Sequence, residues 1–181
     1  MSAGRLIAVV GPSGAGKDSV MAGLKAALPG LRLVRRTITR ARDLGGEDHD
    51  AVTPEAFRAA ARAGMFCVHW SAHGLNYGIP ADVLTDTRRG IDCLANFSRG
   101  ALGQAQTVFP NMIVLNITAS PETLARRLAG RGRESVAEIT ARLARAGSPL
   151  PEGLQVVSIT NDGALADTVC RALNALQPAR A

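Results

Sequence analysis

The chain has 181 residues, a mass of 18.8 kDa and a formal charge of +6, with 46% hydrophobic and only 3% aromatic residues. That apolar content excludes a disordered chain and suffices for the core of one domain, built from Leu, Val, Ile and Ala. The basic balance, with a pI near 10.2, suits nucleic acid or substrates carrying several phosphates, but so few aromatic rings argue against a protein that stacks bases.

In chain order, "RLIAVV" (5–10) reads as a buried strand and leads straight into "GPSGAGKDS" (11–19). "KDSVMAGLKAAL" (17–28) follows as a helix whose face carries Val20, Leu24 and Leu28, stopped by Pro29-Gly30. "LRLVRRTITR" (31–40) is a second strand candidate and "ARDLGGEDHDAV" (41–52) a polar loop. "TPEAFRAAARAG" (53–64) has a threonine N-cap and proline at the first helical position. "MFCVHW" (65–70) reads as a strand, "SAHGLNYGIP" (71–80) as a loop and "ADVLTDTRRG" (81–90) as a short helix.

"IDCLANF" (91–97) and "NMIVLNIT" (111–118) are core strands flanking a "SRGALGQAQTVF" helix. "SPETLARRLAG" (120–130) and "ESVAEITARLARA" (134–146) are helical; "LQVVSIT" (154–160) closes the sheet and "ALADTVCRALNAL" (164–176) packs on it. Strands alternating with helices predict an α/β fold with a parallel sheet flanked by helices. The expected division is a core at about 1–34, 81–125 and 147–181, an insert at about 35–80 and a lid at about 126–146. Cys67, Cys93 and Cys170 are widely spaced and lie in apolar surroundings, so three buried thiols in a reducing compartment are expected. The first ten residues hold too short an apolar run for a secretory leader, and no run approaches a membrane span, which points to the cytoplasm.

The glycine loop carries the strongest chemistry. Gly11, Gly16 and Lys17 fit the P-loop pattern, and a strand before and a helix after are the context it requires. Backbone N–H groups from Gly11, Pro12, Ser13, Gly14, Ala15, Gly16, Lys17, Asp18 and Ser19 (Pro12 contributing shape alone) would wrap nucleotide phosphates. Lys17 is one of only two lysines. Asp18 stands where the magnesium-binding hydroxyl belongs, and Ser19 comes one place late. A carboxylate is a hard oxygen ligand, so Asp18 is a candidate for Mg²⁺; the alternative is a helix-dipole acid worth ~0.3–1 kcal/mol, with Ser19 or water at the metal.

Further along, "RRTITRAR" (35–42) supplies Arg35, Arg36, Arg40 and Arg42 for an acceptor phosphate clamp, with Arg36 and Arg40 on one face of a strand. Arg127, Arg131 and Arg133 surround a glycine hinge that reads as a lid closing over a transferring phosphoryl group, with Arg142 on the returning helix a candidate to join it. His69 and His73 lack metal spacing, whereas His49, between Asp48 and Asp50, is placed to contact substrate or solvent.

"VVGPSGAGKDS", "RRTITRARDLGGEDHDAV", "HGLNYGIP" and "RRLAGRGRES" resemble guanylate kinase in order and spacing. "GKDS", "TITRARDLGGEDHDAVT" and "HWSAHGLNYGIP" are similar to the ribose 1,5-bisphosphate phosphokinase family of phosphonate degradation. The resemblance implies a guanylate-kinase-like core with a small substrate-binding insert and a helical lid. It also implies ATP and Mg²⁺ as cofactors, and transfer of the γ-phosphoryl of ATP to ribose 1,5-bisphosphate. Arg40 and Arg42 match the acceptor-phosphate arginines and Tyr77 the "YG" tyrosine, while Lys17, Arg131 and Arg142 would act in catalysis.

Two departures weigh against a guanylate or other nucleoside-monophosphate kinase, the alternative reading. Val68 and Asn96 stand where guanylate kinases carry base-reading carboxylates, and donors of guanine left unpaired cost ~1–3 kcal/mol each. Asn96 is accordingly a candidate substrate residue. The expected partners are small molecules, with neither nucleic acid nor membrane, and the chain would act as a monomer or homodimer.

Overall fold

Five consecutive buried residues make Leu6–Val10 the central strand β1. A run apolar on both faces belongs inside a parallel sheet covered by helices. The structure is a computed structural model that describes residues 3–41, 47–130, 135, 137, 139–141, 144 and 149–177. Arg42, Arg131, Arg133 and Arg142, expected at the acceptor site and lid, lie outside the described residues.

After β1 come α1 (Lys17–Ala27), the short strands β2 (Arg32–Leu33), β3 (Thr37–Ile38) and β4 (Asp50–Ala51), and α2 (Pro54–Arg62). β5 (Phe66–Ala72), β6 (Leu75–Pro80), α3 (Asp82–Arg88) and β7 (Cys93–Asn96) follow. A 3-10 turn (Arg99–Ala101) runs into α4 (Leu102–Val108), then β8 (Met112–Thr118), α5 (Pro121–Gly130), β9 (Val156–Thr160) and α6 (Leu165–Leu176).

The core sheet has the order β2-β7-β1-β8-β9, parallel throughout. Alternate residues of β1 feed its two faces. Leu6, Ala8 and Val10 pack with Val83 of α3 and Leu102 of α4, whereas Ile7 and Val9 pack with Val20 and Leu24 of α1 and Ala172 of α6. Burying one such leucine contributes roughly 1.5–3 kcal/mol. The chain leaves β1 for the β2 edge, returns through β7, then crosses to β8 on the far side of β1. Ligands bind outside the carboxyl ends of the strands at such a reversal.

A second sheet, ordered β4-β3-β6-β5, leans on the first. Val68 of β5 and Ile79 of β6 are buried in the same apolar cluster as Leu6 and Phe97. Trp70 of β5 donates its indole N–H to Ser98 Oγ at 2.9 Å and stacks on Phe97 at 5.2 Å between ring centroids. These contacts fix the second sheet beside the end of β7.

Four expectations need correction. The segment 31–40 is not one strand: it splits into β2 in the core sheet and β3 in the second sheet, because Val34–Arg36 carries the chain between them. The polar loop at 41–52 ends in the short strand β4, which pairs in parallel with β3. The expected loop at 71–80 is the return strand of a hairpin, with Ala72 opposite Leu75. Its turn residues His73 and Gly74 have φ of 52° and 74°, and this left-handed pair matches the twist of the flanking strands. A histidine at the first turn position carries a weaker signal than asparagine or aspartate.

Finally, Cys93 is buried and Cys67 half-buried, but Cys170 is exposed on α6. Burial pushes the thiols of Cys67 and Cys93 up to about 11. At pH 8 the folded protein should therefore release one equivalent of thionitrobenzoate rapidly from an aromatic disulfide reagent, through Cys170, and all three only after denaturation. Fast labelling of three thiols in the native protein would contradict this burial pattern.

Candidate active site

β1 ends at Val10 and α1 begins at Lys17, so residues 11–16 form a tight loop at the carboxyl end of the central strand. Gly16 caps α1 with φ 86° and ψ 27°. A Cβ there would lie 2.6 Å from Asn161 Nδ2, so glycine is required by backbone conformation and by space. Gly16 brings no side-chain acceptor, which leaves the first-turn N–H groups and the positive helix end to an anion.

Three side chains hold this loop by its carbonyl oxygens. Lys17 Nζ donates to Gly11 O at 3.0 Å and Pro12 O at 3.2 Å. Asn161, buried just beyond β9, donates from Nδ2 to Ala15 O at 2.8 Å, and its Oδ1 accepts from Thr168 Oγ1 at 2.9 Å. Arg127 of α5 donates to Gly14 O at 3.3 Å, Ala15 O at 3.4 Å and Asn161 O at 2.8 Å. Arg127, grouped by sequence with the lid arginines, therefore braces the loop, because α5 runs alongside it. The Ser120 N–H donates to Asp162 Oδ1 at 2.8 Å, which joins the chain beyond β8 to that beyond β9 and holds the Asp162 carboxyl below its ordinary range.

Asp18 and Ser19 are both exposed in the first turn of α1. An exposed carboxylate beside a phosphate loop fits a cation shared with substrate phosphates, since Mg²⁺ is commonly held by one or two carboxylates plus those oxygens. Among the described residues no cluster of three His, Cys, Asp or Glu forms a closed metal cage.

The other half of the site lies at the end of β7. Asn96 pairs in register with Val9, next to the start of the phosphate loop. Its Nδ2 donates to Glu47 Oε2 at 2.7 Å. Arg36, only 6% exposed, grips the same carboxylate with two parallel bonds, Nε to Oε1 at 2.7 Å and Nη2 to Oε2 at 2.6 Å. The Arg36 guanidinium also lies 4.8 Å from the Tyr77 ring centroid and 5.7 Å from that of Trp70. Trp70 and Tyr77 are themselves stacked at 5.4 Å.

His49 is buried at 3% exposure, with Nδ1 2.9 Å from Glu47 O and Nε2 3.0 Å from Arg40 O. Both ring nitrogens are engaged by backbone, so His49 braces the loop instead of reaching the substrate as expected. Beside it, Arg40 Nε and Nη2 are buried without a hydrogen-bond partner among the described residues. Buried polar groups are normally paired, so this guanidinium is suited to an anion. Arg35 turns outward instead, to Asp48 at 3.0 Å and Asp50 at 3.2 Å.

The structure thus brings Arg36 and Asn96 together on Glu47, with Tyr77 against Arg36, and His49 joins the Glu47 and Arg40 backbones, while Val68 points into the apolar core. Glu47, Trp70 and Asn161 were not marked by the sequence reading. Glu47 is one of four acids in the segment 41–52, and irregular backbone has no period from which to choose among them.

No model of a known protein family matches the chain. It is 52% identical over 179 residues to the ribose 1,5-bisphosphate phosphokinase of Ruegeria sp. strain TM1040, covering 98% of this chain and 94% of that one. The protein of the same name from Agrobacterium fabrum is 45% identical over 175 residues, covering 95% and 96% respectively. Among solved structures, guanylate kinase from Anaplasma phagocytophilum superposes with a TM-score of 0.68 at 18% identity, covering 97% of this chain and 84% of that one. That likeness establishes a guanylate-kinase-like P-loop fold. Among the described residues no helix is long and apolar enough to cross a membrane.

Replacing Asn161 by alanine takes a partner from the Ala15 carbonyl and from the buried Thr168 hydroxyl, a loss of about 1–3 kcal/mol. Denaturant unfolding should register that loss. Because the loop backbone also loses its strut, the KM for nucleoside triphosphate should rise about 10-fold or more, with the acceptor KM little changed. An equal rise in both constants would show that Asn161 does not act through the loop.

Proposed function

Because the chain belongs to the ribose 1,5-bisphosphate phosphokinase family, we propose that it transfers the γ-phosphoryl group of ATP to the 1-phosphate of ribose 1,5-bisphosphate. The product is 5-phospho-α-D-ribose 1-diphosphate, and the setting is phosphonate degradation in the cytoplasm. The observation that carries this reading is identity over nearly the full length of both chains. The geometry is in keeping with it: the chain carries a phosphate loop opening a helix, and among the described residues an arginine, Arg40, whose buried Nε and Nη2 lack a partner and suit a second anion.

In this reading the loop N–H groups and Lys17 hold the β- and γ-phosphates, and Arg40, with Arg42, holds the acceptor's phosphate. Arg131 and Arg142 close over the transferring group. An oxygen of the acceptor's 1-phosphate attacks the γ-phosphorus in line, the new O–P bond forms, and the bond to the β-phosphate oxygen breaks with its electron pair leaving on ADP. The attacking oxygen is already ionised at neutral pH, so no strong general base is required. Catalysis consists of positioning and charge stabilisation by the chain's own cations. Bound Mg²⁺ would neutralise phosphate charge, held by Asp18 or by Ser19 and water. The substrates are small molecules, nucleic acid has no part, and the chain acts as a monomer or homodimer.

Incubation with Mg-ATP and either ribose 1,5-bisphosphate or GMP tests the assignment by product identification. Phosphorylation of the sugar bisphosphate with little turnover of GMP is expected, and failure with both acceptors would sink it. In a second assay, Asp18→Asn should raise the Mg²⁺ concentration needed for half-maximal rate. Unchanged activity with unchanged Mg²⁺ dependence would exclude Asp18 from the metal site.

A further inference from the structure

The Glu47 carboxylate poses a chemical problem. A site for an acceptor with two phosphates gains nothing from a second anion beside them, yet this carboxylate lies at the end of β7, next to the phosphate loop. It is held firmly there. Arg36 grips both of its oxygens, Asn96 donates to one, and the Glu47 and Arg40 carbonyls flank the same buried His49 ring. The guanidinium that fits the acceptor phosphate and the carboxylate are therefore carried on one braced loop.

An ionised carboxylate only accepts hydrogen bonds, and it offers about four lone-pair positions. Among the described residues, the bonds from Arg36 and Asn96 fill three of them, two on Oε2 and one on Oε1. The fourth is on Oε1. A sugar bisphosphate ionised at neutral pH has hydrogen-bond donors only at its hydroxyl groups. The pairing with Arg36 also cancels the charge of Glu47, so the carboxylate does not drive the phosphates away.

We propose that Glu47 is the residue that selects the sugar: its Oε1 accepts a hydrogen bond from the 2- or 3-hydroxyl of the ribose, with Arg36 and Asn96 as the positioning residues that aim it. This rests on the acceptor being the ribose bisphosphate of the preceding section. The same arrangement suits guanine poorly. That base presents an adjacent N–H and amino group, which need paired acceptors, and Glu47 has a single position to offer. Arg36, by occupying the carboxylate, is thus part of the selection and not only of the phosphate clamp expected from sequence.

The test compares ribose 1,5-bisphosphate with its 2-deoxy and 3-deoxy analogues in the wild type and in Glu47→Gln. Selectivity is read as the ratio of kcat/KM values. The wild type should prefer the full sugar over at least one analogue by about 10- to 100-fold, the range a lost hydrogen bond to a charged acceptor produces. In Glu47→Gln that ratio should collapse to within about threefold of unity. A ratio preserved while both substrates decline together would make Glu47 a structural brace and overturn the proposal.

Binding gives a readout that needs neither turnover nor the variant. Trp70 is the single tryptophan and stacks with Tyr77, beneath Arg36. Its fluorescence should follow titration of wild-type protein with each sugar bisphosphate. Equal dissociation constants for all three overturn the proposal even if Glu47→Gln does not fold. Discrimination in binding without phosphorylation would instead refute the activity and leave the assignment of Glu47 standing.

Discussion

Backbone amides can hold a phosphate only if something else holds the backbone, and that support must not compete for the anion. The loop meets this constraint by being tied through its carbonyls. Asn161 donates to the carbonyl oxygen of Ala15, and Arg127 to those of Gly14 and Ala15. In a trans peptide the N–H points opposite to the preceding C=O. Anchoring the Ala15 carbonyl on Asn161 therefore directs the Gly16 N–H the other way. Cationic and amide donors placed behind the loop stabilise the same orientation that an anion in front would select. Because these donors come from α5 and from the end of β9, the site depends on the whole half of the sheet beyond β8.

The proposed acceptor half follows a different rule. Its groups lie on the second sheet and on the loop before β4, and they meet the core at Asn96 and Ser98. Here position comes from packing. Trp70 is stacked between Tyr77 and Phe97, Arg36 lies over that stack, and Val68 and Ile79 anchor the strands in the core. A buried, bidentate Arg–Glu pair adds little net stability in general, since desolvation offsets much of the Coulomb gain. Its retention at the end of β7 is better explained by what it orients than by what it stabilises.

Much of this was legible in the sequence, and the part that was not has identifiable causes. Strand, glycine loop and helix at 5–27 obey strong local rules, although Leu28, expected on the packed face, lies past the helix end and is exposed; the capped helices beginning at Pro54 and Pro121 obey them too. The Thr53 hydroxyl accepts from Ala56 N at 3.2 Å, as its position before proline implies. The hairpin at His73–Gly74 was missed because its turn uses an unusual residue at positive φ. Cys170 was misjudged because an apolar neighbourhood in sequence spans all faces of a helix, and only packing decides which face is covered. Arg127 was assigned to the wrong task because its distance to residue 14 in space has no counterpart in sequence. Asn161, Trp70 and Glu47 act through long-range contacts, which a single sequence does not encode by spacing.

Val68 and Asn96 show how one fold serves different acceptors. Both occupy positions where the resemblance to guanylate kinase leads one to expect carboxylates, but their fates differ. Val68 is fully buried among Leu6, Ile79 and Phe97, so an acid there would need a polar partner that this apolar cluster does not supply. Asn96 remains at the strand end and donates to Glu47, a carboxylate supplied by a different loop. A carboxylate is therefore still present at this end of the sheet, on Glu47, where Arg36 pairs with both of its oxygens. A core that shares its fold with a nucleotide kinase thus keeps a carboxylate at this strand end although Val68 and Asn96 carry none.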